Sequence, residues 1–379
     1  MQRAGKYVSN LSGSMEYNSF RPEPLPPVPE LMLSEDLYKA LIDANCRLAR
    51  LDAAAEYIPS MELFISMYVR KEALLSSQIE GTQCTLEDVL DPDIDENANL
   101  DVSEVVSYVS AMQYAVQRLK TLPVCNRFIR EVHEKLMENA RGSDKSPGEF
   151  RHSQNWIGPA GCNIKNARYI PPNVQDMREA MDELERYINI DREFDPLIRA
   201  AMIHYQFETI HPFLDGNGRI GRMLILLYLM DQGLLKKPVL YLSYFLKQNQ
   251  QEYYDRMSWV RTGGNYEQWI QFFLEAVSRA AKDSLESAEM LANLHQHNLS
   301  KLPASTRSKD NLRAVFDYAE QHPIMDIGRT AKELGISYNT ASAAVHRLME
   351  LGILNETANR ARNRVFVYEE YINILKKGL

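Results

Sequence analysis

The chain has 379 residues, 45% of them hydrophobic and 25% charged. These are the proportions of a water-soluble globular protein with room for two or three domains. A net charge of −8 argues against wholesale binding to nucleic acid or to an anionic membrane surface. The four cysteines, Cys46, Cys84, Cys125 and Cys162, form no CxxC pair and read as reduced thiols, not as a disulfide frame or a zinc site. No basic-then-apolar segment opens the chain, and its most apolar run, residues 223–230, is too short to span a bilayer. The reading is a cytoplasmic protein without a membrane segment.

Residues 1–30 read as irregular, because Arg21-Pro-Glu-Pro-Leu-Pro-Pro-Val-Pro29 forbids a helix and favours an extended arm. From Glu35 the pattern turns helical, with Leu37, Ala40, Leu41, Ala44, Leu48 and Leu51 at helical spacing. A second helix is predicted over about 60–78, closing in Ser76-Ser-Gln-Ile-Glu80-Gly81, where Gly81 suits the position just past a helix end. Glu80 is poorly placed there, since a helix C-terminus disfavours a carboxylate unless a cation such as an arginine holds it. Residues 91–99 form a polar, acidic break. Amphipathic helices are predicted over 102–120 and 128–139. Residues 147–172, rich in Gly, Asn and Pro, read as a short hairpin or flap around Trp156, Ile157, Tyr169 and Ile170. A plain structural loop is the alternative.

The densest chemistry is His211-Pro-Phe-Leu-Asp215-Gly216-Asn217-Gly218-Arg219-Ile-Gly-Arg222. Upstream, Asp195-Pro196 followed by Leu197, Ala200, Ala201, Ile203, His204 and Phe207 reads as a helix with Pro in its first turn. Pro212 breaks the periodicity, and residues 219–230 read as a buried helix. The loop therefore ends at a helix N-terminus. Gly216 and Gly218 allow positive φ or close approach of a ligand, and successive N–H groups there form an anion-binding concavity. Arg219 and Arg222, three apart, lie on one helix face and carry forks suited to phosphate oxygens. Asp215 is a hard oxygen ligand suited to Mg²⁺ bridging phosphates. His211 is the group able to accept a proton near neutral pH. A Gly-Asn-Gly turn before a helix is common, and helix arginines are mostly solvated. The full set in this order is hard to explain as packing.

Residues 241–260 carry Tyr241, Tyr244, Phe245, Tyr253, Tyr254 and Trp259. Most serve a helical core, and one or two border a base pocket. Helical sequence continues over 266–298, and 301–309 reads as a linker. Residues 331–348 read as helix, Gly335 turn, helix. Residues 351–354 and 365–368 read as strands around a basic turn at 360–364. This pattern resembles a winged helix-turn-helix. From residue 300 onward Lys and Arg outnumber Asp and Glu only twelve to nine, too weak a charge to assign DNA contact.

Residues 211–222 resemble the signature of the Fic-domain family, His-Pro-Phe-x-x-Asp/Glu-Gly-Asn-Gly-Arg-x-x-Arg, at every fixed position. The resemblance implies a mainly α fold: a Fic helical core with a small β-hairpin flap, an N-terminal helical arm and the C-terminal winged helix-turn-helix, divided at 1–95, 96–299 and 300–379. It implies transfer of AMP from ATP to a hydroxyl side chain of a target protein, with release of pyrophosphate. His211 would be the catalytic base and Asp215 the Mg²⁺ ligand. Gly216, Asn217 and Gly218 would seat the phosphates, Arg219 and Arg222 would bind the triphosphate, and Tyr253 and Tyr254 would border the adenine. Ser76, Glu80 and Gly81 match the family's inhibitory Ser/Thr-x-x-x-Glu-Gly/Asn, which implies that Glu80 pairs with Arg222 and obstructs the γ-phosphate site. Some relatives also remove AMP, and such a glutamate can serve that reverse reaction. Gly148 and Arg151 match the opening of the family's flap, which implies main-chain pairing with a target segment. A reading from another class is a nucleotide-sensing, DNA-binding regulator without turnover. A homodimer stays open under both.

Overall fold

The computed structural model describes residues 3–58, 61–90, 100–138, 145–159, 161–190, 193–303, 309–357 and 364–377. The chain begins with two antiparallel strands, β1 (Gly5–Asn10) and β2 (Tyr17–Pro22), with Tyr7 opposite Phe20. The stretch expected to be irregular is thus a hairpin as far as Pro22. Phe20 is fully buried and its N–H donates to the Ile170 carbonyl at 3.0 Å. Burial of one aromatic ring and long-range pairing outweigh a Ser- and Asn-rich composition.

Eleven helices follow among the described residues: α1 (Glu35–Tyr57), α2 (Met61–Ile79), α3 (Leu86–Leu90), α4 (Leu100–Arg118), α5 (Asn126–Met137), α6 (Val174–Asn189), α7 (Pro196–Ile210), α8 (Asn217–Asp231), α9 (Ser243–Gln248), α10 (Gln250–Gly263) and α11 (Tyr266–Lys301). Side-chain caps set several of their starts. Ser34, Asn173 and Asp195 accept backbone N–H groups at the first turns of α1, α6 and α7. Helices α7 and α8 are buried on nearly all sides, polar residues such as Arg199, His204 and Arg222 included. They pack on each other, and α11 covers α7, where the Trp269 indole N–H donates to the Ala201 carbonyl at 2.8 Å. The α7–α8 contact is closest at Gly221, where a Cβ would lie 2.1 Å from Glu208 Oε1.

The last part comprises α12 (Lys309–Gln321), β3 (Ile324–Asp326), α13 (Ile327–Leu334), α14 (Tyr338–Glu350), β4 (Asn355–Glu356), β5 (Val365–Val367) and α15 (Glu369–Lys376). Its three strands form an antiparallel sheet in the order β3-β5-β4. The first wing strand falls at 355–356, not at 351–354. Gly352, at φ +69°, turns the chain after α14, and Ile353 and Leu354 go into the core instead. The acidic break at 91–99, positions 304–308 of the linker and positions 360–363 of the basic turn lie outside the described residues.

The C-terminal elements share the core of the rest. On the last turns of α11, His295 Nδ1 lies 2.8 Å from Glu320 Oε2, and the Asn298 amide donates to the Tyr368 hydroxyl at 2.6 Å, all buried. The buried Lys71 ammonium of α2 donates to the Lys377 carbonyl at 2.9 Å.

Candidate active site

His211 closes α7 in the left-handed region, at φ +51°, and Gly216 opens α8 at φ +75°. The loop between them is clamped from inside. The Asn217 side chain accepts from the Phe213 N–H at 2.8 Å and donates to the Phe213 carbonyl at 2.9 Å. The His133 ring stacks on Phe213 with centroids 3.7 Å apart. Gly148 N–H donates to His133 Nδ1 at 2.9 Å, so Nε2 carries the proton and donates to the Asp215 carbonyl at 3.1 Å. The buried Arg151 guanidinium ties the flap to the same loop through the His211 carbonyl at 3.0 Å. Among the described residues the flap has one antiparallel pair, Ile157 with Tyr169, in place of an extended hairpin.

His211 Nδ1 faces the Glu208 carbonyl at 3.3 Å. A carbonyl only accepts, so Nδ1 holds the proton and Nε2 is left as the acceptor. Burial pulls the imidazole pKa down to about 4, against the opposing effects of the Glu208 carbonyl and Glu80. At neutral pH the ring is uncharged.

His211 lines a cavity of about 470 Å³ together with Gly218, Arg222 and Glu80. The Arg222 side chain, 1% exposed, meets Glu80 Oε1 at 2.6 Å through Nη2. It also donates from Nε to Ser76 Oγ and from Nη2 to the Ser76 carbonyl, both at 2.9 Å. One guanidinium therefore satisfies the carbonyl end of α2 and holds the carboxylate that the helix dipole disfavours. The Glu80 carboxylate rests on the first turn of α8, where a Cβ on Gly218 would lie 2.1 Å from its Oε1. An anion already sits at the positive end of the signature helix.

The two signature arginines diverge. Arg219 turns away from the cavity, with Nη2 3.4 Å from Asp215 and Nη1 3.8 Å from Glu104. It is 4% exposed, and its Nε and Nη1 have no hydrogen-bond partner among the described residues. Asp215 is half-buried beside Lys145, at 3.0 Å, and accepts from the Gly216 N–H at 2.6 Å. Asp215, Gly216, Asn217 and Arg219 thus surround the loop, whereas His211, Gly218 and Arg222 face the cavity. Tyr253 and Tyr254 line its other end, ring centroids 5.0 Å apart. The Tyr253 hydroxyl donates to His204 Nε2 at 2.8 Å, and His204 Nδ1 donates to the Gly221 carbonyl at 2.9 Å.

Residues 38–117 match the Fic/DOC family N-terminal model and residues 123–229 the Fic/DOC family model. The chain carries a Fic domain of the Fic/DOC family. Proteins named protein adenylyltransferase Fic from Aedes aegypti and Culex quinquefasciatus are 28% identical over 248 residues and 29% identical over 181 residues. The alignments cover 64% and 47% of this chain, and 44% and 33% of those proteins. The chain spans less than half the length of these relatives. A Fic family protein from Desulfovibrio desulfuricans G20 has the same fold, with a TM-score of 0.58 at 19% identity, covering 89% of this chain and 97% of that one.

Three residues of the Fic cavity escape a sequence reading. Glu208 lines it one helical turn before His211, 8% exposed, with Oε1 unpartnered. Burial pushes its pKa up to about 7. One polar residue among several in a largely buried helix gives little signal, and only the three-residue spacing from His211 points to it. Arg261 on α10 lies over the Tyr169 ring at 4.1 Å and closes the cavity against the flap. Tyr7 reaches the cavity from β1, and nothing local marks it.

Proposed function

We propose that this chain is a self-inhibited protein adenylyltransferase, transferring AMP from ATP to a Ser, Thr or Tyr hydroxyl of a target protein. The observation that carries the reading is the Glu80–Arg222 contact over Gly218, in the cavity that His211 lines. The neutral His211 Nε2 takes the proton of the target hydroxyl while the Glu208 carbonyl holds the tautomer. The target oxygen attacks the α-phosphorus, and pyrophosphate leaves. The N–H groups at the start of α8 and the freed Arg222 bind phosphate oxygens. Arg219, turned toward Glu104 and Asp215, would have to rotate to reach the same oxygens. Tyr253 and Tyr254 flank the base, and the flap pairs with the target backbone.

Asp215 fits a cation site of the kind that needs one protein carboxylate, the other ligands being phosphate and water. Mg²⁺ held there would neutralise charge developing on pyrophosphate. Lys145, now paired with Asp215, would have to move aside for Asp215 to hold it.

With Glu80 in place the guanidinium and the helix end are occupied, so ATP binds with its phosphates misplaced. Released from Glu80, the enzyme also labels itself, and Glu80 would serve the removal of AMP that some relatives of this family carry out. A reducing cytoplasm suits the four free cysteines. The test is incubation with ATP labelled at the α-phosphate. His211→Ala should lower transfer by about 10²–10⁴-fold with ATP affinity retained. Binding of ATP by the wild-type and Glu80→Gly chains with no transfer to any protein would leave a nucleotide sensor instead.

A further inference from the structure

We propose that the Tyr7 hydroxyl is an AMP acceptor within this same chain, an inference that rests on the adenylyltransferase reading above. Six hydroxyl side chains line the cavity: Tyr7, Tyr169, Tyr253, Tyr254, Ser258 and Thr262. Four are engaged by the protein. Tyr169 donates to the Thr209 carbonyl at 2.7 Å and Tyr253 to His204. Ser258 donates to the Tyr254 carbonyl at 2.8 Å and Thr262 to the Ser258 carbonyl at 2.9 Å. Tyr254 stands beside Glu80, Arg222 and Gln250, where bound nucleotide would cover it. Tyr7 alone combines 54% exposure with a hydroxyl that has no hydrogen-bond partner among the described residues.

Its support is rigid. Tyr7 sits in the middle of β1, its ring edge-on to buried Phe20 with centroids 5.4 Å apart. Phe20 in turn hydrogen-bonds the flap strand at Ile170. At the base of the hairpin, Arg3 pairs with Glu267 at 2.9 Å and donates to the Gly264 carbonyl at 3.2 Å, next to the α10–α11 turn. A nucleophile presented to the cavity from a fixed element of the same molecule reacts at high effective concentration, without the loss of freedom that a separate target pays. In the step, Tyr7 Oη forms a bond to the α-phosphorus of ATP and the bond from that phosphorus to the bridging oxygen of the β-phosphate breaks. Pyrophosphate leaves with the bond electrons, and the phenol proton passes to His211 Nε2. The product is a tyrosyl-AMP phosphodiester on β1, at the mouth of the cavity that made it.

The experiment uses the full-length Glu80→Gly chain with α-labelled ATP and Mg²⁺, followed by peptide mass mapping. The AMP should map to Tyr7, with a first-order rate independent of protein concentration. Glu80→Gly/Tyr7→Phe should lose self-label by about 10-fold or more, since the other hydroxyls of the cavity are engaged or covered. A His211→Ala chain with Tyr7 intact should gain no label when mixed with Glu80→Gly/Tyr7→Phe. Self-label undiminished by Tyr7→Phe, or mapped only to other residues, overturns the inference. If Glu80→Gly labels proteins of a cell lysate but never Tyr7, the inference fails alone. If it labels nothing, the adenylyltransferase reading fails and takes the inference with it.

Discussion

Arg222 and Glu80 meet at 2.6 Å with unequal exposure, the guanidinium side chain at 1% and the carboxylate at 40%. The buried cation needs a counter-charge at all times, whereas the carboxylate can return to water at modest cost. Arg222 is therefore a fixed socket and Glu80 an exchangeable occupant. A phosphate arriving at the start of α8 offers the same oxygen chemistry, so exchange leaves the socket satisfied.

Ser76→Ala removes the Oγ that accepts from Arg222 Nε at 2.9 Å, while the Ser76 carbonyl stays. Loss of a hydrogen bond to a charged donor costs about 1.5–3 kcal/mol. The variant should be less stable by that order in urea unfolding. It should also label faster than wild type but slower than Glu80→Gly, because the socket is loosened while its occupant remains.

Gly221→Ala should destabilise the domain by about 1–3 kcal/mol, since the added methyl runs into the Glu208 carboxyl and the Phe207 ring between two buried helices. A shift of the urea midpoint at unchanged slope would confirm it. A neutral effect would mean that α7 and α8 separate more easily than their packing implies.

Stability should fall as pH falls below about 6.5. Burial lowers the pKa of His133 to about 4, of His204 to about 3 and of His211 to about 4, from an ordinary value of 6.5. Between those limits the unfolded chain binds more protons than the native one, so acid favours unfolding. Glu208 acts in the opposite sense. Its pKa is raised to about 7, so its protonated form favours the native state in acid, and that contribution is lost as pH rises through 7. Glu72, Glu183 and Asp283, also raised by burial, act with Glu208, and His322, lowered by burial, acts with the three rings, whose fall of about 2 or more from 6.5 sets the expected sign. Urea midpoints measured from pH 7 down to pH 4.5 should decline steadily, and a flat profile would contradict the burial of these rings. The rate of the Glu80→Gly chain should show its acid limb at or below pH 4, not near 6.5, because removing Glu80 lowers the His211 pKa further.

Glu320→Ala should cost about 1–3 kcal/mol, because it leaves the buried His295 Nδ1 without the carboxylate it meets at 2.8 Å. The same layer predicts that a chain ending at Leu302 loses solubility, because it exposes the faces of α2 and α11 that α12 and α15 cover. Differential scanning of the truncated chain should show a lower transition than the full-length chain. An unchanged transition would mean that the C-terminal elements stand apart.

Much of the site is legible in the sequence because its polar residues are close together. Residues 211–222 declare a helix end, a tight loop and a helix start, and the misfit of Glu80 with the α2 dipole asks for a cation. What stays hidden depends on partners distant in sequence. A three-residue spacing places Arg219 and Arg222 on one face, yet Glu104 on α4 and Asp215 draw Arg219 away from the cavity. The β1–β2 hairpin exposes most of β1, so no apolar alternation marks it, and its anchor is the carbonyl of Ile170. The wing strand slips past 351–354 because Ile353 and Leu354 are more favourably buried below the Gly352 turn than laid in a sheet.

The most direct test of the account is self-labelling by the Glu80→Gly chain with α-labelled ATP, set against wild type in matched, folded samples. Freed of the carboxylate, Arg222 and the start of α8 take the phosphates in register, and recovery from a misplacement of about 1 Å is worth roughly 10²-fold in rate. The account predicts faster labelling of that order. It predicts partial activation for Glu80→Gln, which keeps size but loses charge, and none for Arg222→Ala, which removes the socket with its occupant. Labelling by Glu80→Gly no faster than wild type would contradict it, leaving the Glu80–Arg222 pair as an ordinary helix-end contact.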